Sequence, residues 1–299
     1  ELGPEGRLEY NIIMDNSSLT EKQQEAFDYM KSGKNVFLTG PGGSGKSYLL
    51  KHFINWYKMN EDMDNEDNPT IHITSTTGLS AILIDGITIH RYSGIGIGDK
   101  DVETLYNKII KIPKLRNKWC ETKILIIDEI SMMDPIIFDK LEELARKIRK
   151  KSRPFGGIQI ILSGDFLQLP PVKSNIFCFD ANKWDIVITK IFYFDKIMRQ
   201  EDEGLQMILN NVRLGIINKD VRKLLDSRLN KKLDVKNGII PTLLYSRKDM
   251  VFAHNKYELD KLIKDGNENY TYNASYNFSK NIKEIILKIK RSEEHTSEL

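Results

Sequence analysis

Thr20 is followed three residues on by Gln23 and then by Ala26, Phe27 and Met30, a spacing that predicts a capped amphipathic helix ending near Ser32-Gly33. Val36-Phe37-Leu38 reads as a short buried strand running into a glycine loop, Gly40 to Gly45, after which Tyr48 to Tyr57 returns to helical spacing. Glu61 to Asp67 reads as an acidic, asparagine-rich linker. A strand is expected at Ile71 to Ser75, then a turn-rich stretch carrying Gly78, Gly86, Gly94, Gly96 and Gly98. Val102 to Ile112 is helical in pattern, and the four aliphatic residues Ile124 to Ile127 suit a strand covered on both faces. Phe138 to Arg149 predicts a helix, Gln159 to Leu162 another buried strand, and Ser163 to Val172 a loop that closes on the stiff Pro170-Pro171 pair.

Strands and helices thus alternate, which is the pattern of a parallel α/β layer architecture. From about Trp184 a second unit is expected, with a strand at Ile191 to Phe194, helices near Leu205 to Val212 and Val221 to Leu229, and a strand at Thr242 to Tyr245.

Composition adds little to this picture. At 299 residues the chain has room for two domains, and 40% hydrophobic with 29% charged residues is ordinary for a globular protein. No apolar run approaches a membrane span. A net charge of +3 marks no partner by itself, so any nucleic-acid contact has to come from a local basic groove. Cys120 and Cys178 lie outside any ligand or disulfide spacing, and with no leader pattern at the start an intracellular compartment is expected. Residues 1–17 read as a tail that is not native, and 291–299 (RSEEHTSEL) resembles a translated sequencing adapter, so the natural chain is expected to continue past about Lys290.

The chemistry sits at strand ends. Gly40-Pro41-Gly42-Gly43-Ser44-Gly45-Lys46-Ser47 fits the phosphate-loop pattern between a strand and a helix. Glycines let backbone N–H groups turn onto phosphates, the helix N-terminus adds its positive dipole end, Lys46 neutralises the β and γ oxygens, and Ser47 is placed to bind Mg²⁺. Asp128-Glu129 ends a buried strand at the carboxyl edge, where the first carboxylate would hold Mg²⁺ and the second would orient and deprotonate water. Gln168 stands just past the next strand, where a neutral amide reaches a terminal phosphate, although a plain loop glutamine would look the same. Arg199 reads either as an arginine finger or as a solvated charge. Arg146, Lys147, Arg149, Lys150, Lys151 and Arg153 read as a solvated helix end before a DNA track. Gln23 fits a capping box that needs no nucleotide. The aromatics between Phe177 and Phe194 read as core.

The runs Ile126-Ile127-Asp128-Glu129-Ile130-Ser131-Met132-Met133-Asp134, Phe155-Gly156-Gly157-Ile158-Gln159 and Gly164-Asp165-Phe166-Leu167-Gln168-Leu169-Pro170-Pro171-Val172 resemble the Pif-type (petite integration frequency) 5′–3′ DNA helicases of superfamily 1B. The resemblance runs from Leu19 to about Leu262 and takes in Thr76 to Ala81, Gly86 to His90, Arg199-Gln200 and Leu209 to Gly215. It implies a phosphate-loop, RecA-like parallel sheet with helices on both faces over residues 18–182, carrying a small DNA-wedge insertion. A partial second RecA-like domain over 183–290 is implied as well. It further implies that Gln23 contacts adenine, that Gly40, Gly42, Gly43, Ser44, Gly45, Lys46 and Ser47 bind ATP, and that Ser47 and Asp128 hold Mg²⁺. Lys46, Glu129, Gln168 (a γ-phosphate sensor) and Arg199 (a finger) would be catalytic, and Thr76, Thr77 and His90 would touch DNA. Ser80 and Asp85 stand where the family more often has alanine and glycine, and Arg91-Tyr92 replaces serine-phenylalanine. The family's later motifs, a second arginine finger among them, are expected beyond residue 290.

The function expected is ATP-driven 5′–3′ translocation on single-stranded DNA and DNA junctions by a monomer, with no membrane partner. Its setting would be repair, recombination or telomere maintenance, in the nucleus or mitochondrion of a eukaryote. Two alternatives stay open: a RecD-type ATPase of recombination or conjugation, and an ATP-gated DNA-binding module that does not unwind.

Overall fold

The computed structural model describes residues 19–60, 70–171, 174, 176–200, 202–229, 231, 242–268 and 270. The acidic linker expected at 61–67, the tail and the last 29 residues lie outside the described residues. In chain order the elements begin with α1 (Glu21–Lys31), β1 (Val36–Thr39), α2 (Lys46–Asn60), β2 (Ile71–Ser75), α3 (Gly78–Leu83), β3 (Ile87–Thr88) and α4 (Ile89–Ser93). They continue with α5 (Val102–Ile110), α6 (Pro113–Glu121), β4 (Ile124–Asp128), α7 (Pro135–Arg149), β5 (Gln159–Gly164), α8 (Trp184–Val187), β6 (Lys190–Tyr193), α9 (Glu203–Arg213), α10 (Lys219–Asp226) and α11 (Lys248–Lys264).

Six strands form one parallel sheet in the order β3-β2-β4-β5-β1-β6. Successive side chains leave opposite faces of a strand, and the two cores record this. Phe37, Leu125, Ile127, Ile160 and Leu162 join the layer built with α5, α6 and α7, while Val36, Leu38, Ile124, Ile126 and Ile161 join the layer built with α1 and α2. Both faces are therefore covered, which is why β4 reads as an unbroken aliphatic run. Phe37 also stacks edge-on to Trp184 at 5.4 Å, and Phe166, in the turn after β5, lies 5.9 Å from the same indole.

Thr20 and Gln23 form the expected capping box on α1. α7 starts on an Asp134 cap with Pro135 in its first turn, buries Phe138, Leu141, Leu144 and Ala145, and stops at Lys150 in a left-handed conformation. Two members of the basic run at its end, Arg146 and Arg149, are structural. Arg149 donates from Nη1 to the carbonyls of Trp119, Cys120 and Thr122 at 2.7–2.8 Å and from Nε to Gly156 O at 2.8 Å. Arg146 Nε reaches both carboxylate oxygens of the fully buried Glu142, and Oε1 also accepts from Phe155 N. The Phe155-Gly156-Gly157-Ile158-Gln159 run is the counterpart of this clasp. A β-carbon at Gly156 would lie 2.6 Å from Ala145 O, and Gln159 Nε2 donates to Met30 O and Lys34 O, tying the start of β5 to the turn before β1.

Four sequence expectations change. The strand near Ile191, expected to open a second unit, is β6, hydrogen-bonded in parallel to β1 at the edge of the first sheet. The compact unit then runs to Leu229 rather than breaking near Lys183. The turn-rich stretch holds two short helices and a strand, α3, β3 and α4, and α6 follows α5 without having been foreseen. Thr242 to Tyr245 forms no strand among the described residues; the second unit, from Asn230, contains the helix α11 instead.

Candidate active site

β1 delivers the phosphate loop to the carboxyl edge of the sheet, and α2 begins on Lys46. Gly40, Gly43 and Gly45 all take positive φ, the region that costs a side chain most. Around this loop each of three glycines faces one candidate side chain. A β-carbon at Gly42 would lie 3.7 Å from Gln168 Nε2, one at Gly43 2.9 Å from Arg199 Cβ, and one at Gly45 2.4 Å from Gln23 Nε2. Gln23, Gly43, Gly45, Lys46, Ser47 and Arg199 line a single cavity of about 380 Å³.

The supports of these groups come from separate elements. Gln23 Oε1 accepts from Thr20 N at 2.9 Å while its Nε2 turns to the loop, so one side chain both closes the capping box and faces the phosphate loop. Arg199 follows β6, and the amides of Met198 and Arg199 donate to Gly43 O at 2.8 and 3.2 Å, laying this segment directly on the loop. Lys46 Nζ donates to Gly40 O and Pro41 O at 2.7 and 3.0 Å. Burial lowers the Lys46 pKa against the opposing pull of Asp165, Glu129 and Asp128.

Asp128 ends β4 and is 5% exposed; burial raises its carboxyl above the usual range. Glu129 is raised as well, by burial first and then by repulsion from Asp128. Two carboxylates held this way gain from a divalent cation. Mg²⁺ takes few protein oxygens and is completed by water and phosphate. Ser47 and Asp128 offer the hydroxyl and carboxylate for it. Glu129 itself adopts φ 53°, ψ 43°, a left-handed conformation uncommon for a non-glycine residue.

The segment expected to meet DNA is partly occupied by internal bonds. Thr76 Oγ1 donates to Glu129 O at 2.9 Å, and Thr77 caps α3 by accepting from Ser80 N at 3.2 Å. Ser80 links the hydroxyls of Ser75 and Thr77. Asp85 sits at φ 53°, a conformation glycine adopts freely and aspartate tolerates. Tyr92 is buried with its hydroxyl 2.9 Å from Thr122 Oγ1. His90 is half-buried, and burial lowers its pKa, which favours the neutral imidazole.

One pair was not anticipated. Asp165, 1% exposed, receives a forked bond from Arg213 of α9, with Nε to Oδ2 at 2.8 Å and Nη2 to Oδ1 at 2.7 Å. Asp165 Oδ2 also accepts from Gln168 Nε2 at 3.0 Å. Burial pushes the Asp165 carboxyl up, but the bonds from Arg213 and Gln168 outweigh it and hold the pKa below the usual carboxylate value. Both residues stand in motif runs, yet a contact across 48 positions leaves no local signal.

A parallel sheet with a glycine cradle and an acid pair at its carboxyl edge defines a phosphate-loop nucleotide-binding core. Residues 18–232 match the PIF1-like helicase model, and the chain belongs to that family. It is 42% identical over 251 residues to the ATP-dependent DNA helicase RRM3 of Saccharomyces cerevisiae, covering 82% of this chain and 34% of that protein. It is also 42% identical over 273 residues to the uncharacterized protein 030L of Invertebrate iridescent virus 6, covering 87% of this chain and 51% of the relative. The chain thus spans about half or less of the curated relatives it matches. Among solved structures, Pif1 helicase from Candida albicans aligns with a TM-score of 0.74 at 36% identity, over 81% of this chain and 54% of that one. Pif1 from Bacteroides, solved with ADP-AlF3 and ssDNA, aligns with a TM-score of 0.66 at 29% identity, over 81% and 57%.

Proposed function

We propose that this chain is the ATPase portion of a 5′–3′ DNA helicase, coupling hydrolysis of ATP to movement along single-stranded DNA. The observation that carries the reading is the placement of Gln168, Arg199 and Gln23 against Gly42, Gly43 and Gly45 of the phosphate loop, with Arg199 and Gln23 lining one cavity there. Lys46 leaves its loop carbonyls to neutralise the β and γ oxygens, Gln23 Nε2 faces the base, and Arg199 and Gln168 approach the terminal phosphate from the ends of β6 and β5, the strands that flank β1. Ser47 and Asp128 would hold Mg²⁺, which supplies charge neutralisation of the phosphates. Glu129 orients the attacking water and takes its proton; its raised pKa suits a general base.

The polarity, and a setting in repair, recombination or telomere maintenance, take their support from the family. Bacteroides Pif1 has been solved with ssDNA, and we extend that ligand to the segment of Thr76, Thr77 and His90. Thr76 joins the two halves of the proposal, since its hydroxyl holds the backbone of Glu129. A second RecA-like domain, if present in the protein, is proposed to begin after Leu229, where the first compact unit ends.

ATP hydrolysis measured with and without single-stranded DNA tests the reading. Turnover that rises with DNA and disappears in Lys46→Ala is the expected result. A folded chain that does not bind Mg·ATP at millimolar concentration would overturn it. A second reading is DNA binding gated by ATP, without turnover. Salt-dependent DNA binding that changes with nucleotide while hydrolysis stays at background would favour that reading.

A further inference from the structure

Gln168 is exposed, yet its amide is already engaged: Nε2 donates to Asp165 Oδ2, the same oxygen that accepts from Arg213 Nε. The amide also lies beside Gly42 of the phosphate loop. A terminal phosphate is an anionic acceptor, so on arrival it competes with Asp165 for this amide. The strength of Asp165 as an acceptor therefore sets how readily Gln168 turns.

Arg213 controls that strength. Its fork occupies both Asp165 oxygens, which spreads the carboxylate charge and leaves Oδ2 a weaker partner for Gln168 than a bare buried carboxylate would be. Arg213 also ends α9, whose 11 residues span about 16 Å at 1.5 Å per residue. The segment before α9 is fastened to the loop through Met198 N and Arg199 N on Gly43 O. The arm carrying Arg199 is thus anchored at the phosphate loop on one side and at Asp165 on the other.

We propose that Asp165 and Arg213 are positioning residues for Gln168: Asp165 parks the amide while the phosphate site is free, and Arg213 weakens that hold so the amide can transfer to a terminal phosphate. The pair touches no nucleotide itself. The inference rests on the reading of Gln168 as the group that senses the terminal phosphate.

The test is the preference of the full chain for a non-hydrolysable ATP analogue over ADP, each with Mg²⁺, read by competition against a fluorescent nucleotide. Gln168→Ala should reduce that preference about tenfold while leaving ADP affinity in place. Arg213→Gln, which removes the charge and the fork, should reduce it comparably by leaving the amide on Asp165. Arg213→Lys, a point charge without a fork, should fall between. In the Gln168→Ala background Arg213→Gln should have no further effect, because the group it positions is gone.

Thermal unfolding of each variant identifies loss of fold, and Arg213→Lys keeps the test open if Arg213→Gln does not fold. Equal weakening of both nucleotides, or effects of Arg213→Gln and Gln168→Ala that simply add, would overturn the positioning role and leave the sensor reading standing. If Gln168→Ala leaves the preference unchanged, the sensor reading fails and the inference fails with it.

Discussion

Glu129 combines a raised pKa with a backbone conformation that a glutamate seldom takes. Both features bear on turnover. Glu129→Gln keeps the shape and loses the base, so hydrolysis should fall roughly 10²- to 10⁴-fold while nucleotide binding survives, a split that single-turnover and binding assays separate. Because its pKa is raised, the carboxylate form is lost on acidification sooner than for an ordinary glutamate. The acid limb of kcat/KM should lie above the usual 4.5. His72 offers a second handle on pH. Burial first, and Lys118 second, lower its pKa from 6.5 to about 4. The unfolded chain then binds the proton between those values while the folded chain does not, so stability is full above pH 6.5 and is lost as pH falls toward 4. The loss should be on the order of 2 kcal/mol after allowance for solvent screening, and His72→Gln should flatten the urea midpoint across that window.

At the scale of elements, the Arg149 clasp fastens α6, the end of α7 and the turn into β5 through one guanidinium. Arg149→Ala leaves four carbonyls without that partner and should destabilise the fold by about 3 kcal/mol in urea unfolding, with Arg149→Lys recovering only part. This clasp explains how the sequence misleads: a run of six basic residues looks like a solvated helix end, and nothing local reveals that two of them are committed to structure. α1 and α7, whose burial is periodic, were legible because each announces its own face, and β4 because an unbroken aliphatic run marks a strand covered on both faces. α3 and α4 were hidden among glycines, and α6, with Trp119 as its fully buried anchor, offers too short an apolar stripe to stand out. β6 was read as a strand but placed in the wrong unit, since the partner of a parallel strand is fixed by a crossover and not by the local pattern. In the site, the loop and the acid pair were visible as contiguous motifs. The Asp165–Arg213 pair was not, because it exists only after folding brings α9 to the end of β5.

For the molecule as a whole, every residue proposed for nucleotide chemistry, from Gln23 to Arg199, and the Asp165–Arg213 pair behind Gln168 lie in the unit that ends at Leu229. A chain stopped after Leu229 should therefore retain the Mg·ATP affinity of the 299-residue protein by fluorescent-nucleotide titration. A large loss would show that later residues complete the site. The sheet also separates its two edges, with the phosphate loop at one and a basin of about 850 Å³ lined by Tyr29, Lys34 and Trp56 at the other. The stacking of Trp184 on Phe37 and Phe166 gives this separation an optical consequence. Phe166 is two residues from Gln168, so the indole of Trp184 sits beside the turn that holds the amide, whereas Trp56 lies by the far basin. Trp184 is thus an emitter beside the phosphate-loop edge and Trp56 one remote from it, and variants that remove Trp119 and keep one of the two would separate their responses.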